Sequence, residues 1–219
     1  MHTSFFRRLW ITFSAYVIGS YASLLNRLVV KGGENIPRSG GVLLASNHIS
    51  AYETIFLPWA VLRSHPLQMV WAPAKEELCK KPLQRLLYSS WGAFPLQRGR
   101  DVKAGKVLND LLRDQRVMLF PEGPRHKDGR LGQGNRGVGK VIYDTRPVVI
   151  PTALIGLNRW TFPSLGAKGT VVFGQPLHFD DLFAQEDRKE THQLIVERVM
   201  EGIAELLRQE GAYVGRAEK

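Results

Sequence analysis

The segment Asn47-His48-Ile49-Ser50-Ala51-Tyr52-Glu53 sets a histidine five residues before a carboxylate, directly after the apolar run Val42 to Ser46. An imidazole near neutral pKa can take a proton from a hydroxyl. A carboxylate on its other ring nitrogen fixes the tautomer and stabilises the imidazolium that forms. This spacing does not align the two side chains on one helix face, so they meet only if the turn between them folds back. The same residues also allow a plainer arrangement, in which a backbone carbonyl satisfies His48 and Glu53 complements a helix macrodipole.

Two other segments put arginines beside conformationally restricted residues. Phe120-Pro121-Glu122-Gly123-Pro124-Arg125-His126 holds two prolines and a glycine, which make a rigid turn; a fixed guanidinium suits phosphate. Gly92-Ala93-Phe94-Pro95-Leu96-Gln97-Arg98-Gly99-Arg100 ends another apolar run with paired arginines. Each alone reads equally well as a solvated loop. Gly134-Asn135-Arg136-Gly137-Val138-Gly139-Lys140 has phosphate-loop spacing, but Val141 stands where a magnesium-binding Ser or Thr is required. It reads as the opening of a helix lying closely on a sheet. There is no Gly-x-Ser-x-Gly elbow, and the six histidines lack metal-ligand spacing, so neither a serine lipase nor a metal site is expected.

The elements that must position these residues alternate. Strands are expected at Leu28 to Lys31, Val42 to Ser46, Gln68 to Ala72, Ala93 to Gln97, Val117 to Phe120, Val148 to Ile155 and Thr170 to Phe173. Helices are expected at Glu53 to Arg63, Lys80 to Ser89, Val102 to Arg113, Gly137 to Asp144 and Glu190 to Gln209; the last should bury Leu194, Ile195, Val199, Ile203, Leu206 and Leu207. This pattern predicts an α/β fold: a mixed, largely parallel β-sheet flanked by helices. In such a sheet the carboxyl ends of successive strands face one crevice, which would bring the three segments together.

Residues 9 to 25 form a 17-residue uncharged stretch, about 25 Å long as a helix against a hydrocarbon core of about 30 Å. Thr12, Tyr16, Ser20 and Ser23 fall on one side and Trp10, Phe13, Val17, Tyr21 and Leu24 on the other. With Arg7 and Arg8 before it and Arg27 and Lys31 after it, both ends suit the same leaflet. The expectation is a membrane-inserted helix over residues 1–27, monotopic in preference to spanning, ahead of one domain over residues 28–219. A cleaved signal peptide is disfavoured because the chain runs straight on into a strand.

Charge locates the ligand class. The chain carries 30 Lys and Arg against 20 Asp and Glu, a net +10. Asp180 to Glu210 holds nine acidic and four basic residues, whereas Arg98 to Arg146 holds six acidic and twelve basic. The excess therefore points to a phosphate-binding crevice and, around the N-terminal helix, to an anionic membrane surface. A nucleic-acid partner is not expected, since no basic-aromatic sheet motif or recognition helix is present. One cysteine, Cys79, excludes an internal disulfide.

Together the blocks resemble the glycerophospholipid acyltransferase family, typified by 1-acylglycerol-3-phosphate acyltransferases, over roughly residues 28 to 180. Asn47-His48 to Glu53 looks like its Asn-His-x-x-x-x-Asp block and Gly92 to Arg98 like its Gly-x-x-x-x-x-Arg block. Phe120 to Arg125 looks like Phe-Pro-Glu-Gly-Thr-Arg and Val149-Ile150-Pro151 like its apolar-Pro block, with Lys75, Glu77 and Leu78 resembling a Lys-x-Glu-Leu segment. Glu53 replaces the usual Asp, and Pro124 and His126 replace the usual Thr and Ser.

The resemblance implies transfer of a fatty acyl group from acyl-CoA or acyl-carrier protein to a lysophospholipid hydroxyl, with no cofactor and no metal. It implies His48 as base and Glu53 as its orienter. Lys75, Arg98, Glu122, Gly123 and Arg125 would bind substrate, Glu122 by orienting Arg98 or meeting a glycerol hydroxyl. Amides at a helix start or in the Phe120 to Gly123 turn would meet the oxyanion. The location implied is the cytoplasmic face of a membrane. An acceptor bearing another head group and a non-enzymatic lipid-binding protein are the alternatives.

Overall fold

A computed structural model describes residues 3–75, 81–96, 102–161 and 165–217. Among these, seven strands form one sheet in the order β1-β7-β6-β2-β5-β3-β4. They are β1 (Arg27–Lys31), β2 (Val42–Ser46), β3 (Val70–Lys75), β4 (Ala93–Leu96), β5 (Arg116–Leu119), β6 (Val148–Ile155) and β7 (Lys168–Phe173). Every neighbouring pair is parallel except β6 with β7, so β1 and β7 run against the other five. The mixed, largely parallel sheet expected from the sequence is observed.

β2 shows why the continuous apolar runs are strands. Val42–Ser46 is buried at all five positions, flanked by β5 and β6 and covered on both faces, as central parallel strands are. Pro151 lies within β6 at the end of the β7 ladder, where it leaves only one return bond unmade. Its carbonyl accepts from Gly174 N–H at 2.8 Å, so its nitrogen faces the same side, just past Phe173 where the β7 ladder stops.

Helices α1 (Phe5–Leu25), α2 (Glu53–Ser64), α3 (Pro82–Ser90), α4 (Val102–Leu111), α5 (Arg136–Thr145), α6 (Asp180–Phe183) and α7 (Lys189–Gln209) surround the sheet. One core lies between the sheet and α7, with Val117, Val149, Ile195, Val199 and Ile203 in it; the opposite core gathers Leu44, Ile150, Leu57, Trp59 and Phe173 under α2. Leu194, expected on the buried face of α7, is 45% exposed, while Ile195 and Val199 beside it are fully buried. The phosphate-loop look-alike opens α5, where the Asn135 side chain accepts from Gly137 N–H at 2.8 Å. Gly139 lies against α7, not the sheet: an added Cβ would sit 1.9 Å from the His192 carbonyl oxygen. Lys140 bonds Asp144 and Asp187, which leaves it no phosphate-loop role.

α1 begins four residues before the uncharged stretch, capped by Ser4, whose hydroxyl accepts from Arg7 N–H at 3.3 Å. Its buried residues are Ile11, Ser14, Gly19 and Ala22, and Gly19 lies directly on the indole of Trp59 in α2. Most of its other large apolar residues, Phe6, Phe13, Val17 and Leu24 among them, are exposed. Among the described residues no helix is long and apolar enough to cross a membrane.

Candidate active site

β2, β5 and β3 are parallel, so Ser46, Leu119 and Lys75 end them on one edge of the sheet. The first turn, after Ser46, is fixed by Asn47. Its side-chain amide donates to the Leu154 carbonyl at 2.9 Å, and its side-chain oxygen accepts from Leu154 N–H at 2.7 Å, a two-point clamp onto β6. The clamp sets the exit direction of the chain, and His48 follows it.

His48 Nδ1 bonds Glu53 Oε1. The turn does fold back. Glu53 is the first residue of α2, fully buried, and its carboxylate also accepts from Ile49 N–H at 3.1 Å and Ser50 N–H at 3.0 Å. One carboxylate thus ties down the turn ahead of α2 and holds the imidazole, which the longer Glu side chain can do by reaching back over the turn. The His48 ring stacks on Phe120 at 4.1 Å between centroids, with planes 12° apart. With Nδ1 donating to a carboxylate, Nε2 carries the lone pair.

The second turn supports the first. Gly123 has φ +76°, a left-handed conformation that glycine adopts without strain, and its N–H donates to the Phe120 carbonyl at 3.0 Å. The N–H of His126 donates to the His48 carbonyl at 2.7 Å. Glu122 has a different place from the one expected. Its side chain is fully buried, and it accepts from His48 N–H at 2.7 Å through Oε1 and from Gly132 N–H at 2.5 Å through Oε2. Burial raises its pKa above the ordinary carboxylate value, against the downward pull of those two amides and of His126 and His48. It therefore ties three loops together where a substrate contact was expected. No spacing rule reveals this, because its partners are main-chain amides.

Arg125 is exposed after that turn, and Lys75 ends β3. Arg98, with Glu77 and Leu78, lies outside the described residues. The amides of His48, Ile49, Ser50, Tyr52 and Gly123 all donate within the protein, so these five are not oxyanion donors in this conformation. No group of three or more His, Cys, Asp or Glu side chains with metal-binding geometry occurs among the described residues.

A family model described as Acyltransferase matches residues 27–155, more than half the chain and all of this site. The chain belongs to the acyltransferase family. It is 31% identical to a 1-acyl-sn-glycerol-3-phosphate acyltransferase of Pseudomonas aeruginosa over 179 residues, 77% of this chain and 65% of that one. It is 25% identical to a protein of the same name from Borreliella burgdorferi over 147 residues, 61% of this chain and 53% of that one. The chain thus spans about half to two thirds of the length of these curated relatives. The fold matches the crystal structure of the 1-acyl-sn-glycerophosphate acyltransferase of Thermotoga maritima with a TM-score of 0.66 and 22% identity, over 91% of this chain and 80% of that one. This family member keeps the block order while placing Glu at position 53.

Proposed function

We propose that this chain is a membrane-associated O-acyltransferase. It moves a fatty acyl group from an acyl thioester, carried by coenzyme A or by acyl-carrier protein, to the free hydroxyl of 1-acylglycerol-3-phosphate, giving phosphatidic acid. The bond from His48 Nδ1 to a fully buried Glu53 carboxylate carries the reading, because it leaves Nε2 as a base on the edge where β5 runs into the turn bearing Arg125. The names of the relatives support the acceptor.

In this mechanism Nε2 takes the acceptor's hydroxyl proton as the oxygen attacks the thioester carbonyl. The carbon–sulfur bond then breaks, the thiolate leaves, and the imidazolium returns the proton to sulfur. No acyl-enzyme forms. Glu53 stabilises the imidazolium, while Arg125, Lys75 and Arg98 bind the phosphate. α1 holds the enzyme monotopically at the cytoplasmic face, its exposed aromatic and aliphatic side chains in one leaflet, so that lysolipid enters laterally. Pro124 and His126 remove two hydroxyls from the expected phosphate pocket, which favours a second reading, an acceptor with another head group.

Assaying wild type and His48→Ala against a panel of lysolipid acceptors, with both thioester donors, tests the assignment. Activity of the wild type on 1-acylglycerol-3-phosphate, reduced by about 10²–10⁴ in the variant with membrane association intact, is expected. Near-normal turnover of His48→Ala would overturn it.

A further inference from the structure

α3 is a helix whose leucines do not face the core. Pro82–Ser90 contains no buried residue. Leu83, Leu86 and Leu87 recur at the spacing of one helix face, yet Leu83 is 78% and Leu86 66% exposed. Leucines at this spacing ordinarily mark the face a helix buries. Here that face is left exposed among the described residues, and a contiguous exposed apolar patch marks an interaction surface.

The patch continues onto α1. The Arg7 guanidinium donates to the carbonyls of Ser89 and Ser90, the latter at 3.2 Å, and the Trp10 indole N–H donates to the Ser90 hydroxyl at 3.1 Å. The end of α3 is therefore fastened to the part of α1 that exposes Phe6, Leu9 and Phe13. Charge then selects the occupant. Residues 78–100 contain five Lys and Arg and no Asp or Glu, and residues 1–33 contain four and none, in a chain with 20 acidic residues elsewhere. Leucines flanked by Lys81 and Arg85, beside an equally acid-free apolar helix, fit an anionic lipid interface.

We propose that α3 is a second membrane-docking element. Leu83, Leu86 and Leu87 enter the acyl region of an anionic leaflet, with Lys81 and Arg85 at the head groups. Its purpose, though not the evidence for it, rests on the lipid chemistry proposed above. β3 ends on the catalytic edge and α3 is the next described element, so two-point attachment through α1 and α3 holds that edge toward the leaflet supplying the acceptor.

The full chain carrying Leu83→Glu and Leu86→Glu tests this by co-sedimentation with vesicles of phosphatidylcholine, with and without phosphatidylglycerol. The expected result is at least about tenfold weaker partition onto the anionic vesicles, with wild-type turnover of a short-chain, water-soluble lysolipid. Unchanged partition overturns the proposal. So does loss of activity confined to carrier-protein thioester at unchanged partition, which would make the face a docking site for that acidic protein. A fluorophore on Leu86→Cys, in a chain also carrying Cys79→Ser, gives a second reading that does not depend on disrupting the helix. Its emission should shift to the blue on anionic vesicles and be quenched by lipids spin-labelled high on the acyl chain; an unshifted probe overturns the proposal. Both readouts report binding, so they stand whichever acceptor is acylated, whereas the His48→Ala assay reports the reaction alone.

Discussion

Glu122 accepts the main-chain N–H of His48 at 2.7 Å, across 74 residues of sequence. The carboxylate fixes where the backbone of the base lies while Glu53 fixes how its ring points, so two acids position one imidazole. Glu122→Gln sets an amide donor against one of two N–H donors. A loss of about 1–3 kcal/mol in stability is expected, with lower kcat and little change in acceptor KM. A raised KM at unchanged kcat would assign Glu122 to substrate binding instead.

Titration of the same residue gives a pH test. Burial raises the Glu122 pKa in the folded protein above its unfolded value, so the folded state holds this proton more tightly. Ionising it therefore costs stability, in full above the folded pKa and not at all below the unfolded one. Thermal melts of wild type and Glu122→Gln between about pH 4 and 7 should show the variant gaining relative to wild type as pH rises. A constant difference would mean that the group does not titrate in that window.

Glu53 is the sole side chain bonded to His48 Nδ1 among the described residues, and it also takes the amides of Ile49 and Ser50. Glu53→Gln can offer nitrogen where the imidazole needs an acceptor, and kcat should fall by about 10²–10⁴. Glu53→Asp keeps the charge but is one methylene short. It should retain more activity than Gln while losing stability, which steady-state kinetics and a denaturant titration on both variants would read.

Asn47 makes the two-point clamp to Leu154 in β6. Asn47→Ala leaves a buried N–H and a buried carbonyl without partners. Chemical denaturation should show a loss of about 2–5 kcal/mol, with a smaller midpoint shift arguing that water replaces the side chain.

Gly19 meets Trp59 so closely that an added Cβ would lie 1.5 Å from the indole nitrogen. Gly19→Val should therefore push α1 off α2, at a cost of about 1–3 kcal/mol. Faster proteolytic release of the N-terminal helix would accompany it. Phe13→Ser, by contrast, lies on the exposed side and should leave the melting temperature unchanged while weakening vesicle binding.

The sequence by itself determined the seven strands and the largely parallel sheet. Strand identity is written in local apolar runs such as Val42–Ser46, and parallel strands with helical crossovers must deliver their carboxyl ends to one edge. The five-residue step said that a dyad was possible. Only the folded chain decided that the turn folds back, because that depends on the amides of Ile49 and Ser50 reaching the same carboxylate. The role of Glu122 was beyond the sequence for the same reason: main-chain donors look alike in every residue, and a loop 74 residues away was needed to bring one to it. The polar and apolar sides of α1 could be drawn on a wheel, but the side the protein buries, with Ile11, Ser14, Gly19 and Ala22, is neither of them, and it follows a glycine-sized gap over Trp59. α3 sharpens the difference: leucines at the spacing of one helix face lie exposed, and only the tertiary structure shows it.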